Sequence, residues 1–553
     1  MKPKDIQFGS DVIKRIIKGV NTLAEAVGST LGPGGRNVIY KSNGWPYLTK
    51  DGVTVARNIE LSDEFENIGV QLVKDVANRT CKDAGDGTST STVLAASILK
   101  HGLKYIENGI NPIDIQRSIN KAVNIVIDYI QNNIKKDINN DFEKIKNIAT
   151  VSANWDEEIG TVVGEAISKV GLDGAVHRDK SYSSSTRVDL VEGINFDRGF
   201  DGTSPYFIND SAEQNCKFDN PYILLYKGTM KSFRNLIPLL EQVMKNSAEL
   251  LIIADGYESD VLSSLIANKQ TGKLKVAAIK APYFAELRKD TMDDLAMIYG
   301  TTVIDEQFGN KILTQLSLED LGRCKKIIID SKGSSFIGTN CERNIIDEHI
   351  SKLKSQREKF DTGSPNYENI TKRINQLNGY IATIYIGGIT EVEYEEKYDR
   401  VDDALQATRS AIEEGIVPGG SYSYLKASNC EELINMIEDK TNLADSIGAS
   451  IVRHSIMFPF IKMCRNAGIS DLYCYKQYNT IMESENNGIG YNIKTKKMEN
   501  FWETGVIDPF KVTRVALQNA ASIAGLVLTS NVVIGDIKEK SDPPPQSQVP
   551  NLF

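Results

Sequence analysis

The chain's 553 residues are too many for one ordinary domain, and 41% apolar with 25% charged residues is globular composition, which excludes a fibrous or disordered protein. A formal net charge of −9, with no long Lys/Arg block interleaved with aromatics, argues against nucleic acid as a partner. Cys81, Cys216, Cys324, Cys341, Cys430, Cys464 and Cys474 lie far apart, without a CxxC pair or His at zinc-site spacing, so reduced thiols in a cytosol-like compartment are expected.

The first residues, MKPKDIQFGSDVIKRIIKGV, lack the apolar core of a secretion signal. No stretch approaches the roughly 18 uninterrupted apolar residues that span a bilayer, so a soluble chain without membrane association is expected. Apolar positions at helical spacing (Val12, Ile16, Val20, Leu23, Ala24, Val27) predict a helix over 8–30 that stops near TLGPGGR. NVIYKSNGWPYLTKDGVTVARNI then gives two β-rich runs around an NG turn, followed by helical patterns at about 62–80, 88–108 and 113–134. Between about 190 and 380, the short apolar runs YILLY, ELLIIAD, LKVAAIKA and KKIIID alternate with helix-like stretches, the texture of an α/β domain. A charged helical stretch at 343–377 leads to YIATIYIGG, and long helices return from about 400 to 470 and 508 to 528. The order is helical, α/β, helical, as if one domain were inserted into another. The proline-rich end, KEKSDPPPQSQVPNLF, is expected to be unstructured.

Four loops hold the candidate chemistry. DAGDGTSTSTV at 83–93 is either a helix start capped by Asp86 or Thr88, or a seat in which free backbone N–H groups and short hydroxyls hold phosphate while Asp86 holds magnesium. TLGPGGR at 30–36 is a helix-ending turn or a close backbone approach to a ligand. TKDGVTVA at 49–56 sets Lys50 and Asp51 in a turn that also reads as a DG hairpin. VDDALQATRSAIEEGIVPGGSYSYL at 401–425 carries Asp403 on a helix ending in a Pro-Gly-Gly turn, where a solvated helix charge is the simpler account. Neither GxxxxGK[ST] nor a GxGxxG after a strand occurs, so a P-loop or a Rossmann site is not supported.

Taken in order, TLGPGGRNV, TKDGVTVA, DAGDGTST, ANWDEEIG, VEGINFDRG, SPYFIN, VAAIKAP, LEDLG, RVDDALQATRSAIEEGIVPGG and DPFKVTRVALQNAASIAGLVLT resemble a group I chaperonin of the GroEL type, over about residues 2–537. The resemblance implies a multidomain α and α+β chaperonin fold. Residues 1–133 and 414–537 would form a helical equatorial domain that binds ATP and builds the ring. Residues 134–191 and 381–413 would form a small α+β intermediate domain, 192–380 an α/β apical domain that binds substrate, and 538–553 a flexible tail. The implied activity is an ATPase-driven chaperonin subunit that folds non-native polypeptides in the chamber of a seven-membered homo-oligomeric ring, cytoplasmic, with ATP, Mg2+ and K+ as cofactors and a lid co-chaperonin as a possible partner. The alternative is a ring-forming holdase or scaffold with vestigial hydrolysis, which intact Asp51, Asp86 and Asp403 disfavour.

Carried over by motif, Thr30, Leu31, Gly32 and Pro33 would line the nucleotide, and Asp86, Gly87, Thr88, Ser89 and Thr90 would cradle its phosphates, with Asp86 on the metal. Lys50 and Asp51 would lie beside the γ-phosphate and Asp403 would orient the attacking water. Gly420, Asn492 and Asp508 would contact base and ribose. Gly193, Gly379 and Gly415 fall where the family hinges, with Tyr380 replacing a neighbouring hinge glycine. Phe200, Tyr206, Phe207, Ile237, Leu240, Leu262 and Ile266 fall on the family's substrate-binding positions and would be exposed. Departures are Ala267 at the end of that helix, YFAELR after KAP, two extra residues within DGTS, about four before GYN, and Ile461 and Ser470 where an arginine and a glutamate would join two rings.

Overall fold

A computed structural model describes residues 4–536 apart from 43, 139–140, 154, 172–175, 182–184, 197, 212, 307–310, 362–363 and 485. The expected tail, 538–553, lies outside the described residues. The chain divides into two compact units, Met1–Gly164 with Thr390–Phe553, and Glu165–Ile389.

The first unit opens with β1 (Lys4–Phe8) and α1 (Ser10–Gly28), whose predicted apolar stripe is buried along its length. The hairpin β2 (Val38–Ser42) and β3 (Trp45–Thr49) follows, then α2 (Gly52–Arg57), α3 (Glu64–Ala84), α4 (Thr88–Glu107) and α5 (Pro112–Asn133). Their starts follow local chemistry: the Asp63 side chain accepts from the Phe65 and Glu66 N–H groups to cap α3, and Asn111 caps α5 ahead of Pro112. Next come α6 (Phe142–Ser152), capped by Asp141, and α7 (Glu157–Val170), within which the unit boundary falls.

The second unit holds two sheets. One has the order β4 (Val176–Lys180), β13, β5 (Arg187–Phe196), β12, β11, β6 (Cys216–Asp219); the other is β10, β7 (Tyr222–Met230), β8 (Glu249–Tyr257), β9 (Lys275–Lys280). Here β10 is Gly322–Arg323, β11 Lys326–Ile329, β12 Ser334–Ile337 and β13 Tyr380–Ile386. The runs YILLY, ELLIIAD and LKVAAIKA form β7, β8 and β9, which pair in parallel, as their near-continuous burial requires when both faces are covered. Crossover helices α8 (Ile237–Lys245) and α9 (Ser259–Gln270) connect them, and α10 (Ala285–Tyr299) follows. KKIIID belongs elsewhere: as β11 it pairs antiparallel with β6 and β12 in the larger sheet. The charged stretch at 343–377 is two helices, α11 (Arg343–Arg357) and α12 (Pro365–Leu377), the second capped by Ser364 with Pro365 in its first turn.

The chain returns to the first unit through α13 (Glu391–Glu414), β14 (Ile416–Pro418), α14 (Tyr422–Ala427), α15 (Glu431–Glu438), α16 (Leu443–Asn466) and α17 (Asp471–Glu483). The hairpin β15 (Ile489–Asn492) and β16 (Lys497–Asn500), α18 (Phe501–Thr504), β17 (Ile507–Pro509), α19 (Phe510–Thr529) and β18 (Val532–Asp536) complete it. β18 pairs antiparallel with β1 from Lys4↔Asp536 to Phe8↔Val532, so segments more than 500 residues apart close one core. α19 is long and apolar enough by composition to cross a membrane, but 56% of that window is buried, with Leu517, Ala520, Ala524 and Leu528 in the shared core of α1, α3, α4 and α5.

Of the expected intermediate segments, α6 and α13 pack on each other in the first unit, whereas β4, the start of β5 and β13 are hydrogen-bonded into the second unit's sheet. Sheet pairing and helix packing pull the same stretch of sequence in different directions.

Candidate functional site

Every residue assigned above to nucleotide, metal or chemistry lines one cavity of about 520 Å³ in the first unit. That volume suits a ligand of nucleotide size. Seven separated stretches meet there: the end of α1, the starts of α2 and α4, the middle of α13, and the segments around Gly420, Asn492 and Asp508.

The two readings of DAGDGTSTSTV both concern the start of α4. Its N-cap is Gly87, at φ +87°, and no side chain caps the helix. The Asp86 side chain accepts from the Gly87 N–H and from the Ser152 hydroxyl at 3.2 Å. Helical geometry leaves the first N–H groups of α4 without intrahelical partners, and their dipole faces the cavity with the hydroxyls of Thr88, Ser89 and Thr90. The helix start is without a side-chain cap, a geometry that suits an anion. Gly85, at φ +76°, turns the chain between α3 and Asp86, and a Cβ there would meet Cβ of Gln406 on α13 at 2.2 Å. The Ser410 hydroxyl donates to the Ala84 carbonyl at 2.7 Å, which fixes α13 on the same turn.

Asp51 is neither in a hairpin turn nor free: it caps α2, accepting from the Val53 N–H at 3.0 Å and the Thr54 N–H at 2.7 Å. Thr30 binds back to the Val27 carbonyl at 2.8 Å and stands 3.3 Å from the Ser89 hydroxyl. The Asn466 amide donates to the carbonyls of Gly28 and Leu31 at 2.8 and 2.9 Å, holding the TLGP turn against α16. Asn492 spends its side chain on the β15–β16 turn, accepting from the Lys494 N–H at 3.0 Å and donating to Glu499 at 2.7 Å.

Burial and mutual repulsion dominate at the acids. Burial first, then the charges of Asp86 and Asp51, hold the Asp403 carboxyl well above its ordinary range. Burial raises Asp86, with Asp51 adding to it and the Gly87 and Ser152 donors opposing. Asp508 is pushed up to about 7 by burial and by Asp86, against a Gly420 N–H bond. The Cys81 thiol is lifted to about 11 by burial and the nearby Asp403 and Asp402 charges. Lys50 is pulled down by burial, against the charge of Glu396. Among the described residues no ion pair reaches Asp86 or Asp403, and no cluster of three or more His, Cys, Asp or Glu forms a protein-only metal cage. Such a donor set fits a hard divalent cation that takes its remaining oxygens from a phosphate ligand, with Asp86 as the protein's contribution.

Polar or aromatic wall residues that the sequence reading missed include Ser152, Trp155, Arg400 and Lys494. The first two lie in or beside ANWDEEIG and Arg400 opens RVDDAL, so the motifs marked the neighbourhood without a role. Arg400 bonds Asp156 at 3.0 Å and also pairs with Glu396.

In the second unit the expected apolar surface is only partly formed. Tyr206 is 63% and Ile237 38% exposed, and Leu262 and Ile266 are partly buried. Phe200, Phe207 and Leu240 are corrected to core residues, at 3%, 0% and 4% exposure. Phe200 and Phe207 sit in successive short turns with ring centroids 6.3 Å apart, and Leu240 lies on the inward face of α8 with Leu236, Leu239 and Val243. Met244, one helical repeat beyond Ile237, is 48% exposed and was not singled out. Ile461 is buried on α16 and Ser470 precedes α17.

The architecture is a chaperonin fold of helical and mixed α/β parts. The profile of the TCP-1/cpn60 chaperonin family matches residues 23–538, and the chain belongs to that family. Among solved structures it is similar to the chaperonin gp146 from the bacteriophage EL 2 (Pseudomonas aeruginosa), crystallised in the presence of ATP-BeFx, at 21% identity and a TM-score of 0.67, over 97% of this chain and 99% of that one. That low identity accords with a diverged member.

Proposed function

We propose that the protein is an ATP-driven chaperonin subunit that binds non-native polypeptides and promotes their folding in the chamber of a cytoplasmic seven-membered ring. The observation that carries this is the meeting, on one cavity, of the uncapped α4 start with Asp86 and with Asp403 from a helix more than 300 residues away. The α4 N–H groups and Thr88, Ser89 and Thr90 take the phosphates. Asp86 holds Mg2+, which supplies charge neutralisation at the triphosphate, and K+ is a further expected cofactor. Thr30, Leu31, Gly32 and Pro33 flank the nucleotide, and Gly420, Asn492 and Asp508 lie at base and ribose. Lys50 and Asp51 stand beside the terminal phosphate. Asp403 keeps a high proton affinity and orients water for attack, so hydrolysis depends on where α13 lies. Tyr206 and Ile237 offer apolar contact to unfolded chains.

The test is steady-state ATP hydrolysis with and without Asp403→Ala. Loss of turnover with nucleotide affinity retained supports the reading. Unaltered turnover overturns the role of Asp403, and no turnover in the unchanged protein supports the ring-forming holdase instead.

A further inference from the structure

Trp155 lies in the turn between α6 and α7 with a left-handed backbone, φ +67°. A bulky aromatic adopts that conformation only where its surroundings enforce it, and such strain gathers at clamps and switches. Three contacts enforce it here. The Trp155 N–H donates to the Thr150 carbonyl at 2.8 Å. The indole packs on the cluster that contains Tyr491 and Ile493. The Lys494 ammonium stands 4.5 Å from the ring centroid.

The turn is fastened on both sides of Trp155. Ser152 donates to Asp86 at 3.2 Å, and Asp156 accepts from Arg400 of α13 at 3.0 Å. The indole therefore links the acid cluster and the Asp403 helix to the β15–β16 hairpin. Trp155 and Lys494 both line the cavity, and Lys494 is exposed to solvent, so their contact lies on a solvent-facing part of the cavity wall.

Resting on the nucleotide reading above, we propose that Trp155 and Lys494 form a clip on that solvent-facing wall that sets the rate of nucleotide release. Both are positioning residues: they restrain the α6–α7 turn against the hairpin and take no part in breaking the phosphate bond. A cation–π contact at an exposed site accounts for about a two- to fivefold change in rate, and loss of the whole indole removes its apolar packing as well.

The experiment is stopped-flow release of a fluorescent ADP analogue from the assembled, full-length protein, with single-turnover ATP hydrolysis measured alongside. Lys494→Ala should speed release about two- to fivefold and Trp155→Ala by more, with single-turnover hydrolysis unchanged. Lys494→Arg should retain slow release, and Lys497→Ala, which removes an exposed hairpin charge away from the indole, should leave it unaltered. Failure of the unchanged protein to bind the analogue would overturn the nucleotide reading. Binding with unchanged release in both Lys494→Ala and Trp155→Ala would overturn the clip alone, as would equal acceleration by Lys497→Ala.

Discussion

Replacing Gly85 by alanine tests the coupling between the phosphate turn and α13. At φ +76° the alanine adopts a left-handed conformation, which costs about 1–2 kcal/mol. Its Cβ would also lie 2.2 Å from Cβ of Gln406, where ordinary contact begins near 3.4 Å, so α13 must retreat by more than an ångström. Overpacking of that kind costs a further 1–3 kcal/mol or so. Asp403 lies one helical turn before Gln406 and moves with it, and a displacement near 1 Å costs on the order of 10²-fold in rate. Gly85→Ala should therefore destabilise the first unit by roughly 2–5 kcal/mol. It should cut ATP turnover far more than nucleotide affinity, read by denaturant unfolding, steady-state hydrolysis and nucleotide titration. Gly109→Ala is the control: it shares the strain, at φ +88°, but a Cβ there meets nothing within 4 Å. It should cost only about 1–2 kcal/mol and leave turnover intact. Normal hydrolysis by Gly85→Ala, or equal loss in Gly109→Ala, would refute the coupling.

Other measurements reach the remaining structure. Asp508 is raised from 3.8 to about 7, so the folded protein without nucleotide holds a proton that the unfolded chain has released. Stability should fall as pH rises from about 4 to 7, with a ceiling of about 4 kcal/mol from this group before solvent screening reduces it. Asp508→Asn should flatten thermal melts between pH 5 and 8, and a melting temperature that climbs with pH would contradict the assignment. Phe207→Ala should cost about 3–5 kcal/mol in the second unit, because the ring is fully buried. Tyr206→Ser should leave folding within about 0.5 kcal/mol and weaken capture of a denatured polypeptide; equal effects of the two on stability would refute the distinction. Buried Ile461 and neutral Ser470 offer no ionic ring-to-ring pair, so native mass spectrometry should detect single seven-membered rings, and stable double rings alone would count against this.

Local rules made much of the chain legible before any fold was known. The stripe of α1 and the apolar runs of β7, β8 and β9 depend on spacing and near-neighbour chemistry, which a sequence states directly. The residues around the cavity were also named in advance, but through ordered motifs rather than through any one loop. Alone, DAGDGTST admitted both a capped helix and an anion seat. In the fold no side chain caps α4 and Asp86 accepts from Ser152, which reaches it only through the packing of α6.

What tertiary structure alone decided was which way side chains face and which distant groups share a field. Leu240 and Ile237 lie three residues apart on α8, one turned to the core and the other toward solvent, because the second unit's core covers only one side of the helix. KKIIID looked like its neighbours yet joined another sheet, since a short apolar strand does not encode its pairing partner. Asp403 read as a solvated helix charge, and its proton affinity is raised only because α13 packs beside Asp86 and Asp51. Helical periodicity and capping act over a few residues of chain, whereas burial and Coulomb forces act through space. A sequence records the first directly and the second only after the chain has folded.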